Sequence, residues 1–150
     1  MLKVGDLAPE IDLPASDGNV FKLGDRKGRY VVVYFFPAAF TGGCTIETKQ
    51  FRDRSSELSS LGADVVGIST DSLEKQCSFA TSLDAKFPMV GDPDKRVTHA
   101  YGVAWPLVGL ARRVTFVVGP TQRIEAIFAH ELQVGKHVED VAAFLQGVRK

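Results

Sequence analysis

The sequence predicts an α/β domain with a mixed central sheet and an N-terminal β-hairpin extension. Three observations carry that expectation. Apolar, β-branched runs at residues 30–36 and 63–70 are each followed by a stretch of helical character. Two further strand-like runs, 113–118 and 123–128, face each other across the turn Gly119-Pro120-Thr121-Gln122. The resulting order is strand, helix, strand, helix, then a hairpin and a last helix, which suits a sheet with both parallel and antiparallel pairs. At 150 residues, the expectation is one domain spanning 1–150.

The elements follow in order. Ile11, Asp12 and Leu13, and the run 20–23, flank the turn-prone Ser16-Asp17-Gly18-Asn19, so the chain opens on a small β-hairpin. Residues 30–36 lack polar alternation and read as a strand buried on both faces. Pro37 ends it, because proline gives a ladder no N–H. A helix is predicted over 43–61, closed by Gly62. The strand 63–70 comes next, then a helix capped by Asp71 or Ser72 and running to about Leu83. A short strand over 87–90 and a short helix started by Asp92-Pro93-Asp94 lead to the hairpin. Residues 135–148 close the chain as a helix, with Val138, Val141, Ala142 and Leu145 on one face.

Composition removes several classes. The chain is 45% hydrophobic with ten phenylalanines, so disorder is a poor reading. Basic and acidic residues balance at 18 each, and no basic-aromatic patch appears, so no nucleic-acid partner is expected. Arg112-Arg113 and Arg52-Asp53-Arg54 are too short to alter that. The longest apolar run is about seven residues, against about 20 for a bilayer span, so no membrane partner is expected either. The N-terminus lacks a secretory pattern, and the default location is the cytoplasm. In that reducing setting two cysteines, Cys44 and Cys77, are either inert or redox-active. The three histidines, His99, His130 and His137, show no ligand spacing, so neither a metal nor an organic cofactor is expected.

The chemistry concentrates in Pro37-Ala38-Ala39-Phe40-Thr41-Gly42-Gly43-Cys44-Thr45-Ile46-Glu47, between a buried strand and a helix. Reacting groups gather at such strand-to-helix turns in α/β sheets. Cys44 falls in the first helical turn, where unpaired N–H groups favour an anion and hence the nucleophilic thiolate. Thr41 is placed to aim its hydroxyl at the sulfur and at a bound oxygen. Pro37 fixes the chain direction and shields the sulfur, while Gly42 and Gly43 let backbone N–H groups approach a small substrate. Glu47 opposes a thiolate unless it orients an arginine; otherwise it is a helix-dipole residue.

Pro37-x-x-x-Thr41-x-x-Cys44 resembles the active-site signature of the peroxiredoxins, with Glu47 matching a glutamate common in several subgroups. Gly5-Asp6-x-Ala8-Pro9, Gly91-Asp92, Tyr101-Gly102-Val103 and the run 113–118 are also similar to that family, in the same order. The similarity is to the Q-type, or bacterioferritin-comigratory, subgroup, with the E-type alkyl hydroperoxide reductases as runner-up. The resemblance implies a thioredoxin-like fold and a cofactor-free peroxidase that acts on hydrogen peroxide and organic hydroperoxides, as a monomer or a homodimer. It also implies roles. Cys44 becomes a sulfenic acid, and Arg113, Thr41 and the Gly43 and Cys44 amides hold the peroxide. A thioredoxin- or glutaredoxin-like reductant restores the thiol.

Cys77 is the candidate resolving cysteine. The position five after Cys44, where some Q-type members carry theirs, is Lys49. Cys77 shares a helical face with Leu73 and Ala80, so a plain core residue is the alternative. Arg112 competes with Arg113, and alternation along a strand lets only one face the site. Trp105 and Pro106 sit in a loop, either at the pocket mouth or in ordinary packing. A redox sensor with little turnover is the alternative function. A disulfide oxidoreductase lacks its Cys-x-x-Cys, and nothing favours a Cys–His hydrolase.

Overall fold

Three valines and four aromatics in residues 30–36 demand cover on both sides of one strand, and the architecture supplies it. The computed structural model describes residues 2–107, 109–129 and 135–148. Strand β1 (Asp12–Pro14) pairs antiparallel with β2 (Val20–Lys22), followed by a single 3-10 turn at Leu23–Arg26. β3 (Tyr30–Phe35) leads to α1 (Gly42–Asp53), α2 (Ser55–Ser60) and β4 (Ala63–Ser69). Then come α3 (Leu73–Leu83), β5 (Met89–Gly91), α4 (Arg96–Ala100), the hairpin β6 (Val114–Val118) and β7 (Ile124–Ala129), and α5 (Gly135–Val148).

Among the described residues the main sheet has five strands in the order β5-β4-β3-β6-β7. β3 lies at its centre, parallel to β4 and antiparallel to β6. Its side chains divide by alternation. Val31, Val33 and Phe35 pack with Ile11, Phe21, Leu23 and Tyr101 on one face. Val32, Tyr34 and Phe36 pack with Phe51, Leu58, Phe79, Val141 and Leu145 from the helices on the other. Thus α1, α2, α3 and α5 cover one face, and the N-terminal hairpin and α4 cover the opposite one. This is the thioredoxin-like arrangement with an N-terminal hairpin. Among the described residues no helix is long and apolar enough to cross a membrane.

Several boundaries differ from expectation. The helix expected over 43–61 is two helices, broken at Arg54 (φ −105°, ψ 9°). The Ser55 hydroxyl donates to Arg52 O at 2.8 Å, a local bond that competes with helical continuation. The strand expected over 87–90 begins only at Met89, since Pro88 has no N–H to pair. Arg113 stands in a bend just before β6 and not within it. The α3 cap is Ser72, whose side chain accepts from Lys75 N, while Asp71 is used elsewhere. Asp92 organises α4 as expected, accepting from Thr98 N at 2.7 Å and Thr98 Oγ1 at 2.8 Å. Val138, Val141, Ala142 and Leu145 are all buried. His130 lies outside the described residues.

Candidate active site

β3 ends at the sheet centre, and the chain turns through Pro37 into α1. Two contacts hold this turn. Ala39 N donates to Asp71 Oδ2 at 2.7 Å, and the Ser69 hydroxyl donates to the same oxygen at 2.7 Å. Phe40 has a φ of 66°, which costs a non-glycine residue about 1–3 kcal/mol. Its ring packs against Phe79 of α3, with centroids 5.1 Å apart.

Thr41 is the N-cap residue of α1, with extended backbone and no side-chain cap bond. Its hydroxyl donates to Ala38 O at 2.9 Å, where the sequence points it at the sulfur. The reason is proximity, since an i to i−3 carbonyl lies within reach of an exposed threonine at a turn. The first intrahelical bond runs from Thr45 N to Thr41 O at 2.9 Å. The amides of Gly42, Gly43 and Cys44 therefore precede the ladder and set the positive end of α1 around the sulfur. A Cβ on Gly42 would meet nothing within 4 Å, so protein packing does not require glycine there.

Cys44, Glu47, Thr48 and Phe51 form the buried stripe of α1, at the 3-and-4 spacing of one helical face. Arg113 meets this stripe from the far side. Its Nη1 donates to Glu47 Oε1 at 2.9 Å and its Nη2 to Cys44 Sγ at 3.5 Å. The register selects this arginine. Val114, Phe116 and Val118 of β6 face the hairpin side, whereas Val117 faces the helices, and so by alternation does Thr115. Arg113 continues the helix-side set. Arg112 turns away, with its guanidinium over the Trp105 ring at 5.1 Å. Trp105 thus packs against Arg112 and away from the cysteine.

Burial pulls the Arg113 pKa down, but the charges of Glu47 and Cys44 outweigh it and hold the group above its ordinary value. It stays a full cation beside the sulfur. Behind the pair, the buried Tyr34 hydroxyl shares a 2.9 Å hydrogen bond with Thr48 Oγ1. Burial pushes that phenol well above its ordinary value, opposed by the Thr48 bond and reinforced by Glu47 and Cys44, so it stays neutral. Thr115 Oγ1 shares a 2.7 Å hydrogen bond with His137 Nδ1 of α5.

Both cysteines are free, with Cys44 buried and Cys77 half-buried. The buried face of α3 is Gln76, Phe79 and Leu83. Leu73, Cys77 and Ala80 are each only partly covered. The cavities around Phe87 and around Glu10 are not lined by Cys44. Near Cys44 in the chain, Phe40, Thr41, Gly42 and Ile46 are exposed.

Sequence reading passed over Tyr34, Thr48, Asp71, Thr115 and His137. Signals for two of them exist. Thr115 is the lone polar residue in an otherwise apolar strand. His137 precedes Val141 by four residues and so lies on the apolar face of α5.

A cysteine at the head of a helix, paired with a buried arginine on a thioredoxin-like sheet, defines the class of the peroxiredoxins, which are thiol-dependent peroxidases. The chain belongs to that class, for the AhpC/TSA family matches residues 4–127. Peroxiredoxin Bcp of Escherichia coli K12 is 35% identical over 97% of this chain and 96% of its own length. A Mycobacterium tuberculosis relative is 46% identical over 101 residues, which span 67% of this chain but only 64% of that protein. The crystal structure of peroxidoxin BcpB from Mycobacterium tuberculosis superposes with a TM-score of 0.93, at 32% identity and full coverage of both chains. The likeness to the bacterioferritin-comigratory subgroup is thereby borne out.

Proposed function

We propose that this chain reduces hydrogen peroxide and organic hydroperoxides, with Cys44 as the attacking residue. The observation that carries this reading is the Arg113 guanidinium bridging Glu47 at 2.9 Å and the Cys44 sulfur at 3.5 Å. The thiolate attacks the distal oxygen of R–O–O–H, so an S–O bond forms as the O–O bond breaks. The leaving oxygen takes a proton and departs as water or an alcohol, and the sulfur is left as a sulfenic acid. Arg113 and the Gly43 and Cys44 amides stabilise the charge that develops on oxygen. Thr41, with its proton on Ala38 O, presents lone pairs to the peroxide O–H. Pro37 sets the loop over the sulfur, and Glu47 acts through Arg113.

The second half of the cycle regenerates the thiol. The Cys77 thiol condenses with the sulfenic acid, releasing water and forming a disulfide, which a thioredoxin- or glutaredoxin-like dithiol reduces by exchange. A disulfide holds its Cα atoms within about 7 Å, so the first turn of α1 or the helix around Cys77 unwinds to form it. The left-handed backbone at Phe40 marks a starting point for that opening. The chain works as one domain, alone or as a homodimer, in the cytoplasm.

Cys44→Ser tests the reading. Serine is nearly isosteric and far less acidic, so the variant keeps its fold and loses peroxide consumption. Near-normal turnover with Cys77 as the only thiol overturns the assignment.

A further inference from the structure

Glu47 has a polar neighbour at each of its two oxygens. Oε1 accepts from Arg113, and Oε2 lies 3.7 Å from His137 Nδ1. That distance is too long for a hydrogen bond but within range of an electrostatic contact. His137 and Glu47 are both fully buried. Elsewhere the inward face of α5 is apolar, through Val138, Val141, Ala142 and Leu145. An imidazole on such a face is disfavoured unless polar partners await it. Here they are Thr115 Oγ1 at 2.7 Å and the Glu47 carboxylate.

The placement also decides what the imidazole does. Arg113 and Thr115 sit two residues apart on the same side of the β6 segment, one carrying the guanidinium and the other holding His137. Glu47 lies between the two. Sheet and C-terminal helix together therefore constrain the one carboxylate that aims the arginine.

We propose that His137 is a positioning residue for the peroxidase reaction. Held by Thr115, it fixes the Glu47 carboxylate, which in turn keeps the Arg113 guanidinium on the Cys44 sulfur. In this role the influence of His137 on the sulfur passes through Glu47. The charged and titratable groups around it are Glu47 and Cys44 of α1, Arg113 before β6, and Tyr34 of β3. On its own helix, Lys136 and Glu139 are exposed, Glu139 pairing with Arg54 at 3.4 Å, and Asp140 is half-buried. This inference rests on the peroxidase reading, so wild-type peroxide consumption is measured first, and a failure of that reading shows there.

The test is a double-mutant cycle on the second-order rate of Cys44 oxidation by hydrogen peroxide. His137→Leu slows that rate by about tenfold, part of the roughly hundredfold expected for losing one oxyanion donor outright. Alkylation of Cys44 by iodoacetamide, which needs the thiolate but develops no peroxide oxyanion, falls by a smaller factor than oxidation does. In a Glu47→Gln background His137→Leu adds less than about twofold, because the route it acts through is already broken. Thr115→Val, which removes the hydroxyl at constant shape, slows the reaction in the same direction. Equal losses of oxidation rate in both backgrounds overturn the proposal and leave His137 a packing residue. Should His137→Leu fail to fold, His137→Asn, with an amide near the Nδ1 position, goes through the same cycle. Oxidation within about threefold of wild type supports the positioning role, and a loss of equal size in both backgrounds overturns it.

Discussion

Replacing Glu47 by alanine leaves the Arg113 guanidinium without its carboxylate, in a site where the two side chains are 8% and 0% exposed. Breaking one half of a buried ion pair costs about 3–5 kcal/mol. Arg113 lies under a thin cover and not in the deep core, which puts the expected loss at the lower end, about 3 kcal/mol. In a domain of this size each kcal/mol moves Tm by about 2–4 °C, so the Ala variant melts about 6–12 °C below wild type. Two effects compete at the sulfur. At 3.5 Å and an effective dielectric of about 20, the guanidinium–thiolate attraction is about 5 kcal/mol. Glu47 repels the thiolate from the far end of that guanidinium, over a longer distance and hence more weakly. Losing the pose of Arg113 therefore outweighs the relief of repulsion, and peroxide reactivity falls roughly a hundredfold, as for one lost oxyanion donor. Glu47→Gln keeps an oxygen for Arg113 Nη1 and loses less on both counts. Thermal unfolding by circular dichroism and stopped-flow oxidation with hydrogen peroxide measure the two effects. An Ala variant melting within about 2 °C of wild type and reacting within about threefold of it would refute this account of the pair.

Further outcomes follow from the same geometry. Arg113→Ala slows peroxide reduction roughly a hundredfold, whereas Arg112→Ala removes its stacking on Trp105, about 0.5–1 kcal/mol of stability, with little change in rate; a reversed order in stopped flow contradicts the register. Peroxide-treated wild type loses both free thiols at monomer mass on a non-reducing gel, while Cys77→Ser stops at the sulfenic acid and overoxidises; one surviving thiol, or a link to a second chain, rules Cys77 out as an internal resolver. For Asp64, burial raises the carboxyl pKa, but hydrogen bonds from Arg29 and Arg26 win and hold it below the usual value. Its stabilising contribution is present above the unfolded-state value of about 3.9 and is lost as pH falls through the lower folded-state value. Asp64→Asn therefore lowers Tm at pH 7 and converges with wild type in strong acid; a constant difference across that range removes the ionic explanation.

Local physics made much of this protein legible in its sequence. The run 30–36 could only be a central strand, because seven consecutive apolar residues with branched or aromatic side chains need cover on both faces. Pro37 had to end that strand, and Cys44 had to fall in the first turn of the helix that follows. The thiol and its helix depend on short-range periodicity, which sequence carries directly, whereas alternation said only that one of Arg112 and Arg113 could face the site, and the sheet register decided which. Tertiary structure alone decided what gathers around the thiol. Glu47, Arg113, Thr115 and His137 come from a helix, a bend, a strand and a second helix, and their meeting depends on sheet order and helix packing. Local rules misled at Thr41, whose hydroxyl takes the nearest carbonyl; at Cys77 the helical face was readable, but not which face the sheet would bury. Periodicity tells which residues share a side of an element. Which side is covered, and by what, depends on contacts between residues far apart in the chain.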